Sequence, residues 1–257
     1  MRKVKLTIEY DGSYFNGFQR QKTVKSAQEV LENVLTEIYK QKVVVSYAGR
    51  TDTGVNAKNQ VVCFFDNGKI ELDKIPMIIN RRLIGINVTV VEEVNSSFNP
   101  RMDAIQREYE YWLYTGVKNI FIDKYMCFVE DVNYDLLTEA TKIFEGIHDF
   151  NTLCTNPKQY KSTVLNIEHS EIKKERQKFL GIEIDCYCYR IRARSFLYHM
   201  IRIIVGLLLE LNNNKISINQ YSEIIKGKIS YNWKMAPAKG LFLSNIQYSG
   251  GELKDEK

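Results

Sequence analysis

Asp52 has the setting of a reactive group. It stands in Ala48-Gly49-Arg50-Thr51-Asp52-Thr53-Gly54-Val55-Asn56-Ala57, one acid between an arginine and two glycines. Gly49 and Gly54 allow positive φ or a close approach of backbone to a ligand, and Arg50 is near enough to keep Asp52 ionised. Val43 to Val45 lead in and Gln60 to Phe65 lead out, so the loop is expected between two half-buried strands. A carboxylate mounted this way can act as a nucleophile or a base. The same pattern also describes an ordinary Gly-rich turn with a solvated Arg–Asp pair, so its meaning depends on what accompanies it.

Three further constellations accompany it. Tyr10-Asp11-Gly12-Ser13-Tyr14-Phe15-Asn16-Gly17-Phe18-Gln19-Arg20-Gln21 puts turn-making glycines among aromatic, amide and guanidinium groups that can stack on and hydrogen-bond a displaced ring. Arg107, Tyr109 and Tyr111 alternate and share one face of a strand. Ser195 to Gly206 reads as an apolar helix whose core stripe of Phe196, Met200, Ile203 and Ile204 is interrupted by Arg202. An arginine there needs a partner, and a carboxylate such as Asp52 can accept its two-pronged donor set. His199, on the same apolar segment, reads as a satisfied core histidine, and Tyr109 alone would read as an ordinary sheet tyrosine.

The elements that must position these groups follow from periodicity. Val4, Leu6, Ile8 and Tyr10 alternate with polar residues as a first strand, and Ser26-x-x-Glu29 forms a capping box for a helix faced by Ala27, Val30, Leu31, Val34, Leu35 and Ile38. Strands at 43–47 and 58–66, a helix over 73–83 and a strand over 86–94 complete a β-α-β-β-α-β series, the ferredoxin-like unit. The second half repeats the order: a strand over 106–114, a helix over 134–145, a hairpin of 166–174 with 178–193, helices over 195–211 and 219–226, and a strand over 241–248. The fold class is therefore α+β, with two ferredoxin-like halves (1–100 and 101–257) joined into one mixed, mainly antiparallel sheet, helices on one face and the other left open as a cleft, as in many α+β proteins that bind RNA.

Composition is consistent with this. The 257 residues are 44% hydrophobic, enough for one large core or two modest ones. The N-terminus lacks the apolar run of a signal peptide, and the most apolar stretch, 196–211, is broken by His199, Arg202 and Glu210, so a cytoplasmic protein without a membrane span is expected. Five cysteines without C-x-x-C spacing and three histidines without ligand spacing support neither a disulfide framework nor a metal site. The net charge of +5 is modest. Its distribution is more informative: Arg20, Lys22, Lys25, Arg50, Lys58, Arg81, Arg82, Arg101, Arg107, Lys158, Lys161, Lys173, Lys174, Arg176 and Lys178 recur in loops and edges, interleaved with Tyr14, Phe15, Phe18, Tyr109 and Tyr160. Such a mixture suits phosphate contact with base stacking.

Taken together with a fifth block at 236–243, these four blocks resemble the TruA family of RNA pseudouridine synthases. The Asp52 loop resembles its G-R-T-D-x-G-V-x-A signature. Residues 10–21 resemble Y-D-G-T-x-F-x-G-W-Q-x-Q, with Phe18 in place of Trp. Residues 107–111 resemble R-x-Y-x-Y, 196–206 resemble F-x-x-H-M-V-R-x-I-V-G, and 236–243 resemble A-P-x-x-G-L-x-L. The resemblance implies a cofactor-free isomerase that breaks the N1–C1′ bond of a uridine in RNA, rotates the uracil and rejoins it through C5. It implies Asp52 as the catalytic carboxylate, Tyr109 stacked on the target uracil, Arg202 holding the carboxylate ionised, and Leu241 beneath the base. Arg50, Thr51, Phe18, Gln19, Arg20 and Arg107 would contact substrate. It further implies a homodimer acting on tRNA, on the 3′ side of the anticodon stem-loop, with rRNA as the alternative target. Asp52 is open to three roles: nucleophile at C1′, nucleophile at C6, or base at C2′.

Departures from the family pattern fall at Asn56 and Asn99, where His is usual, and at Cys63, Thr53 and Pro100. They are read either as substrate contacts or, for Asn56 and Asn99, as neutral changes at the rim of the cleft. A non-catalytic RNA binder of the same fold is disfavoured by the intact Asp52, Tyr109 and Arg202 set. A hydrolase would need a second acid, and Glu9 and Asp11 have no spacing that pairs them with Asp52.

Overall fold

The computed structural model describes residues 1–179 and 181–249. These form two compact units, Met1–Arg107 together with the segment from Phe242, and Glu108–Leu241. The units divide between Arg107 and Glu108, inside the strand Ala104–Tyr114 rather than at 100/101, and the closing strand from Phe242 is grouped with the first unit.

In the first unit the expected series is present as β1 (Arg2–Tyr10), α1 (Ala27–Tyr39), β2 (Ser46–Tyr47), β3 (Asn56–Asp66), α2 (Ile75–Asn80) and β4 (Ile86–Val94). β1 runs antiparallel to both β3 and β4, and β2 is antiparallel on β3. The alternation works as read: Val4, Leu6 and Ile8 are fully buried with Leu31 and Leu35 of α1. Ser26 caps α1 by accepting from the Glu29 N–H. The reciprocal box forms elsewhere, at Ser217 and Gln220. A bulge between Ile8 and Tyr10 shifts the β1–β3 register so that Tyr10 faces Ala57.

Three elements differ from expectation for identifiable reasons. The strand expected over 43–47 pairs only at Ser46–Tyr47, because the Val45 N–H donates to the buried Glu32 carboxylate instead of a neighbouring strand. The helix expected over 73–83 is a 3-10 turn at Leu72–Lys74 followed by α2, and the Asn80 amide ends it by bonding both the N–H and the C=O of Val88. On α1, Val30, Val34 and Ile38 are half-buried, while the polar Gln28 and Glu32 are buried.

The second unit contains β5 (Ala104–Tyr114, from Glu108), β6 (Cys127–Phe128), α3 (Tyr134–Lys142), β7 (Gly146–Asp149), β8 (Val164–Phe179), β9 (Ile182–Ala193), α4 (Met200–Asn212) and α5 (Ile218–Ile225), and Leu241 begins β10 (Leu241–Tyr248). Its strand order is β5-β9-β8-β7, with β8 and β9 a long hairpin closing at Phe179↔Ile182. β6 and β7, both short, were not visible as periodic patterns. α3 ends before the expected Glu145, where Gly146 turns the chain with φ +95. The helix expected from Ser195 begins only at Met200, because His199 takes the left-handed conformation at φ +64. Pairing is mainly antiparallel, with parallel pairs where β10 meets β3 and β6 meets β5. The α+β class with a large, mostly antiparallel sheet is borne out. No helix among the described residues is long and apolar enough to cross a membrane.

Candidate active site

Asp52 sits half-buried on the turn that joins β2 to β3, where the Val55 N–H donates to the Asp52 carbonyl (3.1 Å) and Gly54 takes φ +78. Thr51 is buried and its hydroxyl shares a 2.7 Å hydrogen bond with the Tyr10 hydroxyl. Arg50 is exposed. The turn is clasped by the loop that leaves β1. The Phe18 N–H donates to the Thr51 carbonyl (3.2 Å), and the Gly12 N–H donates to the Asn56 side-chain oxygen (2.8 Å). A Cβ at Gly17 would lie 2.7 Å from the Thr51 carbonyl oxygen, and one at Gly12 would collide with the Val55 carbonyl. Both glycines are therefore required by close backbone approach. The Gln60 amide donates to the Gly49 carbonyl from below (2.8 Å), its own oxygen being buried without a hydrogen-bond partner in the structure.

The expected substrate contacts of this unit divide. Phe18 is fully buried, packed on Tyr10 (ring centroids 5.8 Å) and Tyr47 (4.9 Å), so in the chain as it stands the ring supports the loop from inside. Gln19 is half-buried and Arg20 exposed. Arg20 reaches back 2.6 Å to Glu32, which is nearly inaccessible and also accepts from Gln28. This buried acid on α1 was missed; an acid on the core side of an amphipathic helix was the available signal. Arg107 is buried, and its Nη2 donates to the Ala48 carbonyl and the Arg101 carbonyl, both at 2.9 Å. It braces the backbone entering the Asp52 loop.

Of the departures, Asn56 is buried as the Gly12 acceptor rather than placed at a rim. Asn99 caps its own turn, its side-chain oxygen accepting from the Arg101 and Met102 N–H groups. Cys63 is buried in β3, where burial pushes its thiol up to about 12. Thr53 is exposed, and the Pro100 carbonyl accepts from the Tyr248 hydroxyl (2.7 Å).

In the second unit, Tyr109 is buried on β5 with its ring edge-on to Phe196 at 5.3 Å. Arg202, half-buried in the first turn of α4, is tied to Ala236 in both directions: its Nε donates to the Ala236 carbonyl and the Ala236 N–H donates to the Arg202 carbonyl, each at 2.9 Å. One turn on, Gly206 leaves room for the Lys234 carbonyl, which any Cβ would strike. His199 is not a core histidine on a helix. It is half-buried at the N-cap position, stacked on Tyr198 with ring centroids 3.6 Å apart, with Nδ1 3.0 Å from the Thr155 hydroxyl. Leu241 is buried at the start of β10. Just before it, Tyr111 donates to the Pro237 carbonyl (2.9 Å) and packs against Gly240, and burial raises its phenol far above its ordinary range. All five cysteines are free thiols, and no cluster of three His, Cys, Asp or Glu side chains among the described residues could hold a metal ion.

The sequence matches the tRNA pseudouridine synthase family over residues 6–102 and 140–249. Asp52, Phe18, Gln19, Arg20, Arg202 and Leu241 fall within those segments; Arg107 and Tyr109 fall between them. The tRNA pseudouridine synthase A of Phytoplasma mali is 35% identical over 247 residues, covering 95% of this chain and 98% of that protein. Those of Ruminiclostridium cellulolyticum and Clostridium acetobutylicum are 34% and 33% identical over 252 residues, covering 96% of this chain and 100% of each protein. With relatives aligned along nearly their whole length and a family match on both sides of the chain, the protein belongs to the tRNA pseudouridine synthases, a family of isomerases.

Proposed function

We propose that this enzyme isomerises uridine to pseudouridine on the 3′ side of the tRNA anticodon stem-loop, as a cytoplasmic homodimer that needs no cofactor. The observation that carries the reading is the Asp52 loop, held by the Tyr10–Thr51 hydroxyl pair and the Gly12–Asn56 bond within a chain that matches the family at full length. Asp52 is the reacting carboxylate, in either its nucleophilic or its base role. Tyr109 is the aromatic surface for the displaced uracil, since a base must leave the stack to be reached. Arg202 keeps the carboxylate ionised, and its two-way tie to Ala236 supports a fixed guanidinium. Buried Phe18 and Arg107 support the loop rather than the RNA.

The test is tritium release from 5-tritiated uridine in unmodified tRNA, followed by mapping of the product. Asp52→Asn and Asp52→Ala should abolish release while leaving tRNA affinity largely intact, and turnover by purified Asp52→Ala would sink the assignment. Tyr109→Phe should retain binding and slow any step that needs the phenol. Modification confined to rRNA transcripts would refute the tRNA target without touching the Asp52 chemistry. Sedimentation with and without tRNA tests the dimer.

A further inference from the structure

Two segments of the second unit carry charge of one sign only. Residues 150–167 contain Lys158 and Lys161 and no acid, and residues 186–209 contain Arg190, Arg192, Arg194 and Arg202 and no acid. The basic residues of β8 differ: Lys173 lies 2.8 Å from Glu171, and Arg176 lies 3.3 Å from Asp185. Arg190 is likewise answered by Glu110 at 3.2 Å. Arg192 is answered by Glu108 in the same way, and the basic residues of the acid-free 150–167 stretch, Lys158 and Lys161, lie on the loop that meets the turn before α4.

At that meeting point stands an aromatic side chain that is both exposed and fixed. Tyr198 is 45% exposed. Its backbone is bound on both sides by the loop: its N–H donates to the Tyr160 hydroxyl (2.8 Å), and its carbonyl accepts from the Thr155 N–H (3.0 Å). Its ring stacks on His199, whose own position is set by Thr155 and by the left-handed turn. An exposed tyrosine ordinarily keeps its rotamer freedom; here that entropy is already lost before any ligand arrives. Phe196, two residues earlier, packs on Tyr109.

We propose that Tyr198 is a preformed stacking platform for a single-stranded RNA base next to the isomerised uridine, with Lys158 and Lys161 meeting the adjoining phosphates. The assignment rests on the RNA-modifying reading above and adds a second base-binding position to it. Stacking on an exposed ring is tolerant of base identity, so this position contributes affinity and register more than sequence preference.

The test is anisotropy with fluorescein-labelled oligouridylate, which reads binding without catalysis. Tyr198→Ala and Tyr198→Leu should each weaken binding about five- to fiftyfold at low salt, whereas Tyr198→Phe should bind within about twofold of the parent. Against an abasic chain of equal length, all four proteins should bind alike. Replacing Lys158 and Lys161 together by Ala should shallow the log–log salt slope by about two. Unchanged binding by the Ala and Leu variants overturns the proposal, as does equal loss by the Phe variant or a difference that persists on the abasic chain. If the parent releases no tritium from tRNA but the oligouridylate pattern holds, the isomerase reading fails and the platform stands. Normal release with unaltered binding by the Ala and Leu variants has the opposite meaning.

Discussion

Around Asp52 the chain is held by close backbone contact at glycines, with the Tyr10–Thr51 and Asn56–Gly12 side-chain bonds added to it. Gly12 and Gly17 let the loop leaving β1 press on the carbonyls of Val55 and Thr51, and the Phe18 N–H bonds the same turn. Around Arg202 the work falls to side chains and to a strained residue: His199 takes φ +64 with a full side chain, secured by Thr155 and Tyr198, and Arg202 itself is tied to Ala236. Glycine-based contact is stiff and leaves little room for substitution. Side-chain strapping stores conformational cost at one residue and depends on the partners that hold it there. Asp52 is mounted on the stiffer device, and Arg202 on the one that tolerates adjustment.

Substitutions can break that contrast. The largest effect is expected for Gly17→Ala, which meets both an unfavourable φ of +83 and a Cβ contact at 2.7 Å. It should cost about 2–3 kcal/mol in urea denaturation and remove most turnover. A variant as stable as the parent would show that the clasp yields. Asn56→Leu leaves the Gly12 N–H without its acceptor and should cost about 1–3 kcal/mol, while Asn56→Asp keeps the acceptor and should recover most of the loss. Equal losses for both would assign the effect to packing.

The strained residue gives a smaller and cleaner comparison. His199→Ala and His199→Gly both remove the imidazole, so their difference isolates the left-handed backbone; the Gly variant should be more stable by about 1–2 kcal/mol. Equal melting temperatures would mean that the turn relaxes once the imidazole is gone.

The smallest effect concerns pH. Cys63 and Cys186 are each pushed up to about 12 by burial. The unfolded chain therefore loses these protons near pH 8.5 while the folded chain keeps them, so unfolding releases protons and stability falls as pH rises from about 9 toward 12. Denaturation midpoints at pH 8 and pH 10 should differ in that direction, and Cys63→Ala should lessen the difference. A midpoint that rises with pH would contradict the burial.

Much of the fold was readable because β1 alternates over nine residues, β3 carries a continuous apolar run and α1 starts at a Ser whose side-chain oxygen caps it. β4 was placed to the residue. β7 and β6 were not legible, since four- and two-residue strands carry no period. The Phe18 ring looked like a stacking group because its neighbours are polar, and only its packing on Tyr10 and Tyr47 reveals an inward one.

By itself the sequence determined the βαββαβ order and singled out Asp52 and Arg202, because hydrophobic period and a charged residue in an unusual setting are local properties; Tyr109 is a candidate only through the family resemblance. Tertiary structure alone decided which groups around Asp52 are braces. Arg107 binds the carbonyls of Ala48 and Arg101, and Asn56 binds Gly12, 44 positions away in sequence. It likewise decided that α4 begins after a left-handed His199 and that Glu32 lies buried opposite Arg20. In each case a polar group lost its water on folding and had to find a partner, and the partner is chosen by proximity in the folded chain, which residue type and spacing do not encode.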